Sequence, residues 1–285
     1  MDAMQLATFR AVIEEGSFEA AARALHVTPS AVSQRIKALE QDVGQVLVRR
    51  TKPCTATGAG QALVRLAGQI ALLEREALAA ARGVPGGGGR TRISVVVNAD
   101  SLHSWFLPAL TALPAELELS FELHQDDQDN TAELLRAGTV MAAVTAQHVA
   151  VQGCRVEKLG AMRYLAVAAP GRFADFAGTP MLVFNRKDRL QHRFLAGLGH
   201  GDAEPPIHYV PAAHAFVEAI RLGLGWGMMP EQTAREDIAA GRGVDLAPGR
   251  HLDVPLYWQY WRMESAVLTA LTTAVRAVAG ERLRS

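Results

Sequence analysis

Two groups of residues in this 285-residue chain carry recognisable chemistry. The first is Thr28, Pro29, Ser30, Ser33, Gln34 and Lys37, followed by Arg49, Arg50 and Lys52. Short hydroxyls and a carboxamide at the start of a helix match the donors and acceptors of base edges in a major groove, while the cations match phosphates. The second group is Asn98, Asp100 and Ser101, then Asp126 and Asp127, Thr145 and Gln147, Phe184 and Asn185, His214, and Trp226. Carboxylates such as Asp100, Asp126 and Asp127 suit a cation. Ser101, read as the opening of a helix, suits a carboxylate through its hydroxyl and the free amide hydrogens there. Together they describe a zwitterion carrying extra positive charge.

The first group needs a helix held at a fixed angle to its neighbours. Phe18, Ala21, Ala22 and Leu25 recur at helical spacing, and after His26 and Val27 a second series follows, Val32, Ile36, Leu39 and Val43. Ser17 and Thr28 stand where they cap the two helices, and Pro29 takes a first position at which a missing N–H is harmless. Leu6, Phe9 and Ile13 supply a third, bracing helix, so residues 4–43 read as a trihelical core. Strand-like residues 46–48 and the cations after them read as a basic wing, and the arrangement is that of a helix-turn-helix DNA reader. An ordinary solvated three-helix bundle would share the apolar spacing but not the caps, the polar face and the wing together. Thr57 then caps a helix over residues 58–82, with Leu63, Leu66, Ile70, Leu73 and Leu78 apolar and Arg65, Glu74, Arg75 and Glu76 polar. Its apolar stripe packs either on its own chain or on a second copy.

The second group needs strand ends. Residues 83–90, GVPGGGGR, cannot sustain a helix or strand and read as a hinge; a phosphate loop would instead follow a strand and open a helix. Beyond it the pattern alternates strand and helix: a strand at 92–98, a helix over 101–113, a strand near 117–125, a helix over 130–138 and a strand near 140–146. A long strand pair spans residues 154–169. A second set follows, with strands at 180–186, 206–212 and 255–261 around helices over 188–198 and 214–224, and a last helix over 265–281. The loop GLGWGMMP brings Trp226 near the strand ends. These are two α/β lobes with largely parallel sheets, and in such sheets a ligand lies past the carboxyl ends of the strands. For Asp127 and Asp129, capping or solvation is explanation enough, and His214 also suits a helix N-cap.

The stretch LHVTPSAVSQRIKALEQDVGQVLVRR followed by TATGAG resembles the N-terminal domain of LysR-type transcriptional regulators. NADSLHSWFLPAL, RAGTVMAAVTAQ, VQGCRVEKLGAMRYLAVAAP and HAFVEAIRLGLGWGMMPE extend the resemblance, over essentially the whole chain, to the LysG/ArgP subgroup. In the family a glutamine and a proline most often open the recognition helix, and an arginine usually follows the serine matching Ser33. Here Pro29 and Ser30 come first and Gln34 follows Ser33, which alters the base contacts but not the docking. The resemblance implies an all-α winged helix-turn-helix domain (1–57), a linker helix that dimerises the protein (58–82), the Gly-rich hinge (83–90) and an α/β effector domain (91–285) of two lobes like those of periplasmic binding proteins. Lobe one covers about 91–165 and 265–285, and lobe two about 166–264, with the effector between them. It further implies lysine or arginine as effector, activation of an amino-acid exporter gene, and promoter DNA, RNA polymerase and a second copy (homodimer or homotetramer) as partners.

Composition agrees. The chain is 49% hydrophobic and 20% charged, with 29 basic and 29 acidic residues, so a polycationic nucleic-acid coat is excluded and DNA affinity rests on a local basic surface. No apolar run reaches membrane-spanning length and the N-terminus enters the DNA-reading fold directly, which points to the cytoplasm. Cys54 and Cys154 stand apart, without ligand-spaced neighbours, and read as ordinary thiols; no metal or cofactor is expected. The competing readings are a LysR-type regulator of another effector, a cytoplasmic enzyme on the same lobes and a plain solute-binding protein. No nucleophile elbow or Walker loop supports catalysis, and a solute-binding protein has no use for the first 82 residues.

Overall fold

The computed structural model describes residues 1–82, 90–125 and 131–285. Residues 83–89 of the expected hinge, and Asp126, Asp127 and Asp129, lie outside the described residues.

The chain opens with α1 (Ala3–Glu14), α2 (Phe18–Ala24) and α3 (Pro29–Val43), then β1 (Val48–Arg49), β2 (Thr55–Ala56) and α4 (Gly58–Arg82). Each helix starts where a side chain can receive the free amides. Asp2 and Gln5 form a reciprocal capping box on α1, Ser17 Oγ accepts Ala20 N–H at 3.1 Å and Thr28 Oγ1 accepts Ala31 N–H at 3.2 Å. Gly44 ends α3 in the left-handed region at φ 74°. Phe9, Val12, Ala21, Ala22, Val32, Ile36, Leu39 and Leu47 fill one core with Val64 of α4. The wing strand starts at Val48 rather than Val46, which is 66% exposed. Just before the ladder, the Glu40 carboxylate takes the amide of Leu47 at 2.8 Å, and it also accepts the N–H of Val48, the first ladder residue, at 3.3 Å.

The expected apolar stripe of α4 divides in two. Gly60, Val64, Ala67, Gly68 and Leu72 are buried against the same chain, whereas Leu63, Leu66 and Ile70 are half-buried and Leu73 and Leu78 exposed. Small residues let the first strip pack closely: a Cβ on Gly60 would stand 2.4 Å from Leu47 O, and one on Gly68 2.7 Å from the Trp261 ring.

Next come β3 (Thr91–Val97) and a helical run made of α5 (Ala99–Ser101), a π-helical turn (Leu102–Phe106) and α6 (Leu107–Thr111). After a 3-10 turn follow β4 (Leu119–Gln125), α7 (Thr131–Ala137), β5 (Ala142–Thr145), the long β6 (Cys154–Ala168) and β7 (Met181–Val183). The chain continues through α8 (Leu190–Gly197), β8 (Ile207–Tyr209), α9 (Ala213–Arg221), β9 (Gly227–Pro230), α10 (Glu231–Ala239), β10 (Val244–Asp245), β11 (Leu252–Trp261) and α11 (Ala266–Arg282).

These elements form two compact units. The first comprises Met1–Val97, Ala112–Glu157 and Trp258–Thr273. In it β3 lies between β4 and β5, parallel to both, with Val95, Val96 and Val97 fully buried. Helix α4 is anchored here by Glu76, whose carboxylate accepts Ser265 Oγ–H at 2.6 Å and Val267 N–H at 3.1 Å at the start of α11. Gln259, fully buried, shapes the loop after β5: its Nε2 donates to the carbonyls of Gln147 and Val149 and its Oε1 accepts Val151 N–H.

The second unit comprises Asn98–Thr111, Lys158–Tyr257 and Ala274–Ser285. Its β6 is antiparallel to β9 and β10, and β7 runs parallel to β8. Leu165, Val167, Leu182, Phe216, Val217, Ile220 and Met229 form the core. Two expectations are corrected here. Half of the supposed loop GLGWGMMP is strand β9, pairing with Tyr164 to Val167; Gly227 makes this possible, because a Cβ there would lie 2.8 Å from the Phe216 ring. Helix α10, which has a weak apolar period, was not expected at all; it is tied instead by Asp237, which accepts both Arg221 and Arg242.

Candidate functional site

The face of α3 opposite its core residues carries Ser30, Gln34 and Lys37, all exposed, with Thr28 and Pro29 exposed at its start and Ser33 half-buried. Arg49, Arg50 and Lys52 are exposed on the wing. The Arg50 guanidinium lies over the Phe18 ring, 4.7 Å from its centroid, so its position is defined by α2. Arg35 is not free for DNA in the same way; it leans on α1, donating to Thr8 Oγ1 at 3.4 Å. Glu40, which no sequence motif singles out, is the tie between recognition helix and wing.

The acidic cluster belongs to the second unit. The helical run starts at Ala99 after Asn98, so Ser101 is its third residue rather than its first, and Ser101 is fully buried. Tyr164 of β6 donates its hydroxyl to Asp100 Oδ2 at 2.7 Å, and Ser104 Oγ donates to the Asp100 carbonyl. Asp100 keeps a partly accessible face while being densely surrounded. That burial pushes its carboxyl above the ordinary range; the Tyr164 hydrogen bond opposes the shift, the negative charge of Asp188 adds to it and His103 opposes it. Burial also raises Tyr164 well above a normal phenol, with Asp100 contributing. Asp188 is held at the start of α8, its carboxylate accepting the amides of Phe184 at 3.0 Å and Leu190 at 2.9 Å, and Asn185 accepts Lys187 N–H in the same turn. His214 sits one residue inside α9 and is not its N-cap; its ring centroid is 6.1 Å from that of His103.

The structure thus brings Asp100, His103, Tyr164, Asp188 and His214 together, with Phe184 and Asn185 in the Asp188 turn. Several polar atoms of this unit lack a hydrogen-bond partner among the described residues: Asn98 Oδ1, Ser101 Oγ, Trp226 Nε1, Gln191 Oε1 and His192 Nδ1. Ser101 and Trp226 are enclosed, Trp226 edge-on to Phe176 at 5.0 Å, so a ligand meets them only after their surroundings move. Thr145, also enclosed, and Gln147 lie in the first unit, where Thr145 Oγ1 accepts Gln147 N–H. Tyr164 and Asp188 were missed from sequence, although a lone tyrosine in an otherwise apolar strand stretch was an available signal. Among the described residues no helix is long and apolar enough to cross a membrane.

Residues 4–61 match the pattern described as a bacterial regulatory helix-turn-helix protein of the lysR family, and residues 86–283 match the LysR substrate binding domain. The chain belongs to the LysR family. This regulator is similar to the HTH-type transcriptional regulator LysG of Mycobacterium bovis, 48% identical over 98% of this chain and 94% of the relative. It is also similar to the crystal structure of ArgP from Mycobacterium tuberculosis, with a TM-score of 0.89 and 46% identity over 100% of this chain and 99% of that one. A third likeness is to full-length LysG from Corynebacterium glutamicum with bound effector Arg, with a TM-score of 0.82 and 41% identity over the whole of both chains. The LysR chain described here is therefore a transcriptional regulator of LysG/ArgP type, and the relatives named above are regulators, not enzymes.

Proposed function

We propose that this regulator answers to a basic amino acid, lysine or arginine, whose cationic side chain is met by Asp100 with Asp188 behind it, and that it activates the gene of an exporter for that amino acid. The observation that carries the reading is Asp100: a densely surrounded carboxylate with a second carboxylate nearby, bonded to a phenol rather than to a cation. An unpaired carboxylate in low dielectric is unfavourable, and a ligand ammonium or guanidinium relieves it. The arginine bound to the Corynebacterium protein supports the same class of effector. On the DNA side, Ser30, Ser33, Gln34 and Lys37 face base edges from the capped start of α3, while Arg49, Arg50 and Lys52 hold phosphates. A second copy covers the outer strip of α4, and the bound promoter is presented to RNA polymerase.

The test is a thermal-shift screen against the twenty amino acids, since a ligand that binds only the folded state raises the melting temperature at concentrations well above its dissociation constant. Stabilisation by lysine or arginine and by no other amino acid supports the reading. Stabilisation by a different compound, or by none, rejects the effector assignment.

A further inference from the structure

The second unit holds a cavity that the proposed effector reading does not use. It has a volume of about 330 Å³, within the range of small-molecule sites, and lies among β6, the start of α10, the π-helical turn and the C-terminal residues. Its lining is unusually rich in guanidinium groups: Arg163, Arg235, Arg282 and Arg284. The carboxylates do not balance them. Glu231 accepts both Arg235 and Arg284, Asp253 outside the lining accepts Arg163 in a bidentate pair, and among the described residues Arg282 bonds only a neutral carboxamide, Gln232 Oε1, at 3.4 Å. Arg282, exposed at the rim, is thus the lining guanidinium with no carboxylate partner among the described residues.

A second, independent observation points the same way. Trp105 also lines the cavity; it is 2% exposed, and its indole N–H is buried without a hydrogen-bond partner among the described residues. A buried donor left unpaired is costly, and a hydrogen-bond acceptor, which an anion's oxygen can supply, is what it lacks. Ala161, Met162, Pro230 and Leu283 supply apolar wall around these groups.

We propose that this cavity is a binding site for a small organic anion, a carboxylate or phosphate ester whose charged group meets Arg282 and Arg284 and, once the wall around the enclosed indole shifts, the Trp105 N–H. The site has a physical route to the acidic cluster. Trp105 stands in the π-helical turn and Ser104, also in the lining, donates to the Asp100 carbonyl one turn earlier. π-Helical turns inside α-helices recur at functional sites. An anion drawn against Trp105 therefore bears on the segment that carries Asp100 and Ser101.

Calorimetric titration of the full chain with citrate and with inorganic phosphate, at ionic strength matched by sodium chloride, tests the site. Saturable binding of either probe that weakens about tenfold or more in Arg282→Gln, the loss expected for one charge-assisted hydrogen bond, supports the proposal. Arg282→Gln removes only a long bond to Gln232, so folding is retained, and an unchanged melting temperature verifies it. Arg250→Gln, whose guanidinium bonds Gly197 O outside this lining, is the control and should leave the affinity unchanged. Absence of saturable binding by both probes, or equal weakening in Arg282→Gln and Arg250→Gln, overturns it. Lysine and arginine titrations run in parallel keep this outcome separate from the effector assignment.

Discussion

The Glu40 carboxylate accepts the backbone N–H of Leu47 at 2.8 Å and of Val48 at 3.3 Å, so one side chain near the end of α3 sets where the wing begins. Glu40→Ala should cost about 1–3 kcal/mol, the penalty for leaving buried amides unsatisfied, as read by urea unfolding. It should also weaken specific and random DNA alike, because Arg49 and Arg50 lose their platform. Unchanged affinity for both in anisotropy titrations would show that the wing is placed by other contacts.

Gln34 and Arg50 should separate base reading from phosphate holding. Gln34→Ala is expected to reduce binding to the operator and leave random DNA nearly unaffected, whereas Arg50→Ala reduces both and lowers the salt slope by roughly one. Equal losses on both DNAs from Gln34→Ala would remove it from the base-reading set.

Asp100 should show opposite effects on stability and on ligand binding. Its folded-state pKa is raised, chiefly by burial, so the stability it contributes is fully present below the unfolded-state value, roughly 3.9, and is lost as pH rises through the folded value. Asp100→Asn mimics the protonated form. Its melting temperature should equal the wild-type value near pH 4 and exceed it at pH 8 in the absence of ligand, while lysine and arginine binding disappears. A variant less stable than wild type at pH 8 contradicts this account of the carboxylate.

Asp237 has the opposite sign. Burial works to raise its carboxyl, but hydrogen bonds from Arg221 and Arg242, with their charges, outweigh it and leave it below the ordinary range. The stability is present above the unfolded-state pKa and is lost as pH falls through the folded one. Asp237→Ala leaves two partly exposed guanidiniums without their shared acceptor and should destabilise the protein by about 1–3 kcal/mol in denaturant titrations at pH 7, with a smaller difference at pH 3.

Gly60→Ala should destabilise by about 1–3 kcal/mol, since the new Cβ would meet Leu47 O, a backbone atom fixed by the wing. Gly58→Ala, two residues earlier with open space around it, is the matched control in the same melt.

The DNA-reading head was legible in detail because its signals are local. Ser17, Thr28 and Pro29 stand within a turn of the helices they start, and the 3.6-residue period of Val32, Ile36 and Leu39 names the buried face directly. The acidic region was legible only in part. Asp100 follows a strand whose apolar run is plain, but Tyr164 and Asp188 reach it across 64 and 88 positions of sequence, a pairing that no spacing rule reports. Ser101 was misplaced by two residues of helix onset, which was enough to turn a presumed cap into an enclosed side chain. Strand β9 looked like a loop because Gly225 and Gly227, usual marks of a turn, serve here to admit Pro180 and Phe216.

Helix α4 has two apolar strips, an inner one of small residues fitted to its own chain and an outer one that runs through Leu63, Leu66, Ile70 and Leu73 at alternating steps of three and four. A chain folded alone carries Leu73 and Leu78 into water. Any copy that covers them enters the folding equilibrium as a reactant, so the melting temperature climbs with protein concentration and dilution by itself acts as a denaturant.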